Sequence, residues 1–153
     1  MRALELKVPP PLVGLSVAAL MWLAASMLPA LSIQWPGSKW LASGLLLLGL
    51  SSDLAAIWLF LKVRTTVNPL SPQKTSSVVR SGVYALSRNP MYVGMLLLLA
   101  AWAVYLQNGA ALLLLPVFVL YINRFQIKPE ERFLLEQFGA EYDEYRQSTR
   151  RWL

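Results

Sequence analysis

The sequence predicts an all-α, polytopic integral membrane protein: four transmembrane helices followed by a C-terminal amphipathic helix at the membrane interface. Three observations predict it. Of 153 residues, 56% are hydrophobic and 14% charged, with a mean hydropathy of +0.48, too apolar for an ordinary soluble domain of this length. The apolar residues gather into four separate runs, and the lysines and arginines flank those runs instead of forming a basic face. All of 1–153 reads as one membrane domain.

The first span runs from about Pro11 to Leu31 and the second from about Trp40 to Lys62. Each covers the ~30 Å hydrocarbon core, which needs roughly 20 helical residues. The third, Pro90 to Leu106, and the fourth, Ala110 to Asn123, are joined by Gln107-Asn108-Gly109, which forces an antiparallel hairpin. Both are short, and Pro116 is expected to bend the fourth. A cytoplasmic loop over 63–89 opens with Arg64-Thr65-Thr66-Val67-Asn68-Pro69-Leu70-Ser71-Pro72, a helix-breaking, extended connector. Beyond the fourth span, Pro129 opens a new helix over 129–147, with Glu130 and Glu131 in its first turn. Phe133, Leu134, Phe138, Tyr142 and Tyr145 recur on it at helical spacing, with a break expected at Gly139. Gly44 and Gly49 allow the second span a close helix contact.

Charge sets the orientation. Lys62, Arg64, Lys74, Arg80 and Arg88 lie between spans two and three, and Arg124, Lys128, Arg132, Arg146, Arg150 and Arg151 come after span four, whereas the other two loops hold only Lys39. The positive-inside rule makes the rich segments and both termini cytoplasmic, and an inner or cytoplasmic membrane is the expected location. A signal peptide over residues 1–31 is disfavoured by the length of its apolar stretch. With no cysteine and no histidine, disulfide frameworks, Cys/His metal sites and histidine acid–base chemistry are excluded together. No metal ligand set is expected, and no nucleic-acid partner.

What remains is polar chemistry at helix ends, where an unpaired charge beside lipid is expensive. Arg80 and Arg88 precede the third span, Tyr84 and Tyr92 bracket its start, and Glu130 with Glu131 come after the fourth, so the antiparallel hairpin returns them to one membrane face. Carboxylates, guanidinium groups and aromatic rings together suit a zwitterionic, cationic ligand carrying an aromatic base. S-adenosylmethionine fits that description, although the residues alone leave other ligands open.

The run Arg88-Asn89-Pro90-Met91-Tyr92-Val93-Gly94, preceded by Gly82-Val83-Tyr84, resembles the integral-membrane methyltransferases. Glu130-Glu131 and Phe138-Gly139-x-Glu141-Tyr142-x-x-Tyr145 extend the likeness, which covers residues 68 to 152. The family includes isoprenylcysteine carboxyl methyltransferase and the phospholipid methyltransferases. The resemblance implies S-adenosylmethionine bound in a cytoplasm-facing pocket and a lipophilic methyl acceptor entering from the bilayer. It carries ligand roles onto Arg88, Pro90, Tyr92, Glu130 and Glu131, with Tyr84 and Asn89 beside them and Arg88 and Glu131 in catalysis. Asn89 stands where the prenylcysteine enzymes usually have histidine.

Structural roles compete for the same residues. Asn89-Pro90 is a ready N-cap and first-turn pair, and the two glutamates complement a helix dipole. Arg80 and Arg88 can snorkel to anionic headgroups, and Tyr142, Tyr145 and Trp152 suit an interfacial aromatic belt. Asp53, near the middle of the second span, costs about 2.5–3.5 kcal/mol if ionised there. A hydrogen-bonded, protonated or cavity-wetted Asp53 facing the bundle is the structural reading. The functional one is a small proton-coupled four-span transporter built on that carboxylate. A third reading, an NADPH-dependent sterol-type reductase, shares the C-terminal signature but expects more spans. Nothing in the sequence fixes the acceptor or the oligomeric state.

Overall fold

The computed structural model describes residues 5–63 and 77–153. Among these, every regular element is helical, and the one extended pairing is an isolated bridge between Ser32 and Asn108. The helices are α1 (Pro10–Met27), α2 (Ser38–Val63), the single turn α3 (Val83–Leu86), α4 (Pro90–Leu106), α5 (Gly109–Ile122), α6 (Lys128–Phe138) and α7 (Ala140–Ser148). A 3-10 turn at Pro29–Leu31 succeeds α1, and a π-helical turn at Asn123–Ile127 joins α5 to α6. The Arg64–Pro72 connector and Arg2 lie outside the described residues.

Prolines and short polar residues set most of the boundaries. Pro10 and Pro90 occupy the first turns of α1 and α4, where a missing N–H costs nothing. Helix α1 stops at Met27, four residues before the predicted end, because Pro29 comes next and continues only as a 3-10 turn. Gln107 closes α4 in the left-handed conformation (φ 50), and Asn108 caps α5, its Oδ1 accepting the Ala110 N–H at 2.9 Å. Asn108 also donates Nδ2 to the Leu28 carbonyl at 2.9 Å, and Ile33 N–H bonds the Gln107 carbonyl at 2.7 Å. The loop after α1 is thereby tied to the α4–α5 turn.

The four long helices alternate in direction. The end of α1 meets the start of α5, while residues 5–8 lie beside Arg124–Gln126. Helix α2 runs antiparallel along α4, with Ser38 beside Gln107 at one end and Ser52 beside Pro90 at the other. Gly49 makes this packing close: a Cβ there would stand 3.0 Å from the Gly94 carbonyl and against Leu98. The small residue serves a contact within the chain, whereas a Cβ on Gly44 would meet nothing within 4 Å among the described residues.

Among the described residues, three helices are long and apolar enough to cross a membrane: Pro10–Met27, Ser38–Lys62 and the continuous Gly109–Phe138. Helix α4 is apolar but shorter, rising about 26 Å over its 17 residues. Large apolar side chains face outward along them, Leu47 at 67% and Leu113 at 72% exposure among them. A soluble surface of this size would not carry such a continuous apolar coat; lipid satisfies it. The protein is an integral membrane protein.

Two findings concern the C-terminal third. The sequence predicts a separate helix starting at Pro129; instead the helix of α5 continues through it by widening into the π turn. A proline inside a helix removes one bond and crowds the carbonyl four residues back, and a wider turn accommodates both. The break at Gly139 is present, with φ +53, a conformation glycine adopts without strain.

Candidate active site

Two apolar clusters frame the polar residues. One joins α1, α4 and α5 around Met21, Phe118 and Ile122, and reaches Tyr92 and Trp152. The other joins Ala56 and Leu59 of α2 to Tyr84 and to Tyr142 and Tyr145 of α7. Between them, at the end of the bundle where α4 begins and α5 gives way to α6, the charged groups meet.

Arg88 is the hub, with its side chain only 8% exposed. Its Nη2 donates to Glu131 Oε1 at 2.8 Å, and its Nη1 donates to the carbonyls of Arg146 and Thr149 at 2.6 and 2.7 Å. Its backbone N–H bonds the Arg150 carbonyl at 2.9 Å. Glu131 is also gripped from the tail: Arg151 Nε donates to Oε1 at 3.0 Å and Nη2 to Oε2 at 2.6 Å. A carboxylate held by two guanidinium groups is a charge-assisted, geometrically fixed acceptor, and its bonds hold the Arg151 guanidinium above its ordinary value.

Glu130 faces a different partner. Tyr92, one turn into α4, donates its hydroxyl to Glu130 Oε1 at 2.6 Å. The adjacent glutamates are therefore unlike: one is neutralised by two cations, the other rests on a phenol. Pro90 opens α4, and its carbonyl accepts the Ser52 hydroxyl at 3.0 Å. Tyr84 packs edge-on against Phe60 with centroids 5.1 Å apart, while its carbonyl accepts the Tyr145 hydroxyl at 2.6 Å. Burial pushes the hydroxyls of Tyr84, Tyr142 and Tyr145 well above their ordinary value, so all three remain neutral.

Of the residues the sequence singles out, Arg88, Glu130, Glu131 and Tyr92 meet by direct hydrogen bonds, and Asn89 and Pro90 border them. Three structural readings need correction. Asn89 precedes α4 but makes no side-chain cap; its Nδ2 donates instead to the Arg151 carbonyl at 2.9 Å. Tyr142 and Tyr145 are 2% and 4% exposed, core residues in place of an interfacial belt. Arg80 pairs with Glu141 and Glu144 of α7 at 3.5 and 3.6 Å, protein partners in place of lipid headgroups. Sequence reasoning does not pick out Arg151 as a site residue. Its only signal there is its place in a pair of arginines just beyond the tail helix, which also reads as a topology marker.

Asp53 lies against α4, where a methyl group on Gly94 would collide with its carboxylate. Its Oδ1 is buried without a partner among the described residues. An open groove of about 530 Å³ between α2 and α4, lined by Lys39, Leu46, Trp102 and Tyr105 among others, lies toward the opposite end of the bundle. It holds no carboxylate and does not match the ligand expected at the cluster.

A sequence profile of the phospholipid methyltransferase family matches residues 38–141, more than half of the chain. The chain belongs to that family. It is 38% identical over 77 residues to protein-S-isoprenylcysteine O-methyltransferase of Saccharomyces cerevisiae, covering 45% of this chain and 29% of that protein. An uncharacterized protein of Haemophilus influenzae is 49% identical over 63 residues, 41% of this chain and the whole of that protein. The chain thus spans under a third of the yeast relative's length and all of the bacterial one's. No solved structure matches. Membership makes the protein a membrane methyltransferase and favours neither the transporter nor the reductase. Arg88, Tyr92, Glu130 and Glu131 fall inside the matched segment, whereas Arg146, Thr149 and Arg151, which close the cluster, fall beyond it.

Proposed function

We propose that this protein transfers the methyl group of S-adenosylmethionine to a lipophilic acceptor at the cytoplasmic membrane face. The observation that carries the reading is the convergence of Arg88 on Glu131 and of Tyr92 on Glu130, from segments about 40 residues apart, at 2.8 and 2.6 Å. The chain then has four spans with both termini cytoplasmic, since the cluster lies at the end rich in Lys and Arg. The α6–α7 segment rests at the interface. The acceptor is a prenylcysteine-type carboxylate or a lipid headgroup.

The donor set fits the cofactor. Glu130 and Glu131 answer an ammonium group and ribose hydroxyls, Arg88 and Arg151 answer a carboxylate, and the buried Arg88 Nε has no partner among the described residues. S-adenosylmethionine, when bound, supplies an electrophilic methyl group on sulfonium, open to in-line displacement. The protein's own contribution is positioning in a dry, oriented site. Arg88, fixed by two backbone carbonyls, orients an anionic acceptor that is already nucleophilic. Where the acceptor bears a proton, Glu130 takes it, because Glu131 is neutralised by two cations while Glu130 holds only a phenol.

Calorimetric titration of the detergent-purified protein with S-adenosylmethionine, S-adenosylhomocysteine and NADPH tests the proposal. Saturable binding of the first two, lost in Glu130→Gln, is expected. A response to NADPH alone would return the sterol-type reductase.

A further inference from the structure

The π-helical turn at Asn123–Ile127 stands between a lipid-spanning helix and the two glutamates of the site. Its defining bond runs from Lys128 N–H to the Asn123 carbonyl, five residues back. Such a turn stores one extra residue without advancing the helix, so the segments on either side keep the facing of a chain one residue shorter. In an uninterrupted α-helix of the same sequence, Glu130 and Glu131 would face about 100° away. Their bonds to Tyr92 and Arg88 require the wide turn.

Two features hold it open. Pro129 has no N–H, and its ring crowds the carbonyl of Phe125, which is left without its helical donor. That carbonyl accepts the Leu6 N–H at 3.0 Å. The segment Glu5–Val8 is strapped across the turn by side chains as well. Glu5 bonds Arg124 at 2.9 Å on one side and Arg132 on the other, while fully buried Gln126 donates Nε2 to the Val8 carbonyl at 2.5 Å. The Trp152 ring N–H meets Asn123 Oδ1 at 3.1 Å, so the tail that supplies Arg151 touches the same turn. The strap precedes the segment matched to the family.

We infer that the π turn, held by Pro129 and by the Glu5–Val8 strap, sets the rotational position of Glu130 and Glu131 against Tyr92 and Arg88. Glu5, Gln126 and Pro129 are positioning residues for the methyltransferase site. The inference rests on the cofactor reading above for its consequence in binding, but its geometric content stands apart. Pro129→Ala returns the N–H and removes the clash, so the helix straightens and the glutamates turn away. Deleting Phe125 in that background takes out the stored residue and turns them back.

The test uses the full-length protein in detergent, with two readouts in the parent, in Pro129→Ala and in Pro129→Ala lacking Phe125. One is affinity for S-adenosylmethionine. The other is the fall in thermal midpoint caused by Tyr92→Phe, which reports the Tyr92–Glu130 contact without any ligand. We expect Pro129→Ala to weaken binding about tenfold or more and to abolish the Tyr92→Phe effect, and the deletion to restore both. Damage to the fold would not be repaired by removing a further residue. The inference is overturned if the Tyr92→Phe effect is absent in the parent, persists in Pro129→Ala, or fails to return with the deletion. If that effect follows the expected pattern while no protein, the parent included, binds S-adenosylmethionine, the cofactor reading fails and the positioning role stands.

Discussion

Arg88 and Glu131 are 43 positions apart in sequence and 2.8 Å apart in space, each nearly removed from solvent. Breaking a buried pair on one side strands the other charge, at a cost of about 3–5 kcal/mol. Glu131→Gln is expected near the lower end, because Arg88 keeps its bonds to the Arg146 and Thr149 carbonyls. Arg88→Lys should cost as much, since an ammonium cannot span those three acceptors at once. Thermal denaturation in detergent measures both, and an unchanged midpoint in either variant contradicts the geometry.

Tyr92→Phe removes a single hydroxyl and leaves Glu130 without its phenol donor. The loss is about 1–3 kcal/mol of stability, the desolvation cost of one buried group. Binding of S-adenosylhomocysteine should weaken in the same variant, because Glu130 is no longer held in place. Calorimetry on the variant beside the parent separates the two effects.

Gly94→Ala drives a methyl group into the Asp53 carboxylate. Overpacking of this kind costs about 1–3 kcal/mol. Asp53→Ala in the same chain makes room, so the double variant should recover most of the lost thermal midpoint. If Asp53→Ala alone abolished methyl transfer without lowering stability, the aspartate would have a role beyond packing.

Alkali should unfold the protein through its tyrosines. The hydroxyls of Tyr84, Tyr142 and Tyr145 are raised by burial above the ordinary 10.0. A raised folded value means their contribution is complete below pH 10 and is lost as the pH climbs, when the unfolded chain ionises and the folded one does not. Each group then removes about 1.4 kcal/mol per pH unit. Phenolate absorbance from these three should rise together with loss of helical circular dichroism above that pH; their titration while the helices stay folded would contradict the burial.

Much of the scaffold is legible in the sequence because prolines and turn residues punctuate it. Helix α4 begins and ends where Pro90 and Gln107-Asn108-Gly109 place it, and α5 starts within one residue of expectation. The same reading puts the start of α6 within one residue but misses its continuity with α5, since a local rule treats proline as a stop and cannot see a strap from residues 5–8 bonding the carbonyl that the proline leaves free. Arg88, Tyr92 and the two glutamates are legible as a pattern. Which glutamate meets which partner depends on helix rotation, and spacing does not encode it. Arg151 and the Asn89 contact need the tail folded back over α4, a long-range event with no local periodicity to announce it.

That fold-back has a practical side. The backbone carbonyls of Arg146, Thr149, Arg150 and Arg151 are themselves the acceptors for Arg88 and Asn89, and the Trp152 ring N–H is bonded to Asn123. An expression boundary drawn at the edge of the family segment would discard the cover of the site altogether. Versions shortened in that way that look inactive would be reporting a missing clasp, not a missing chemistry.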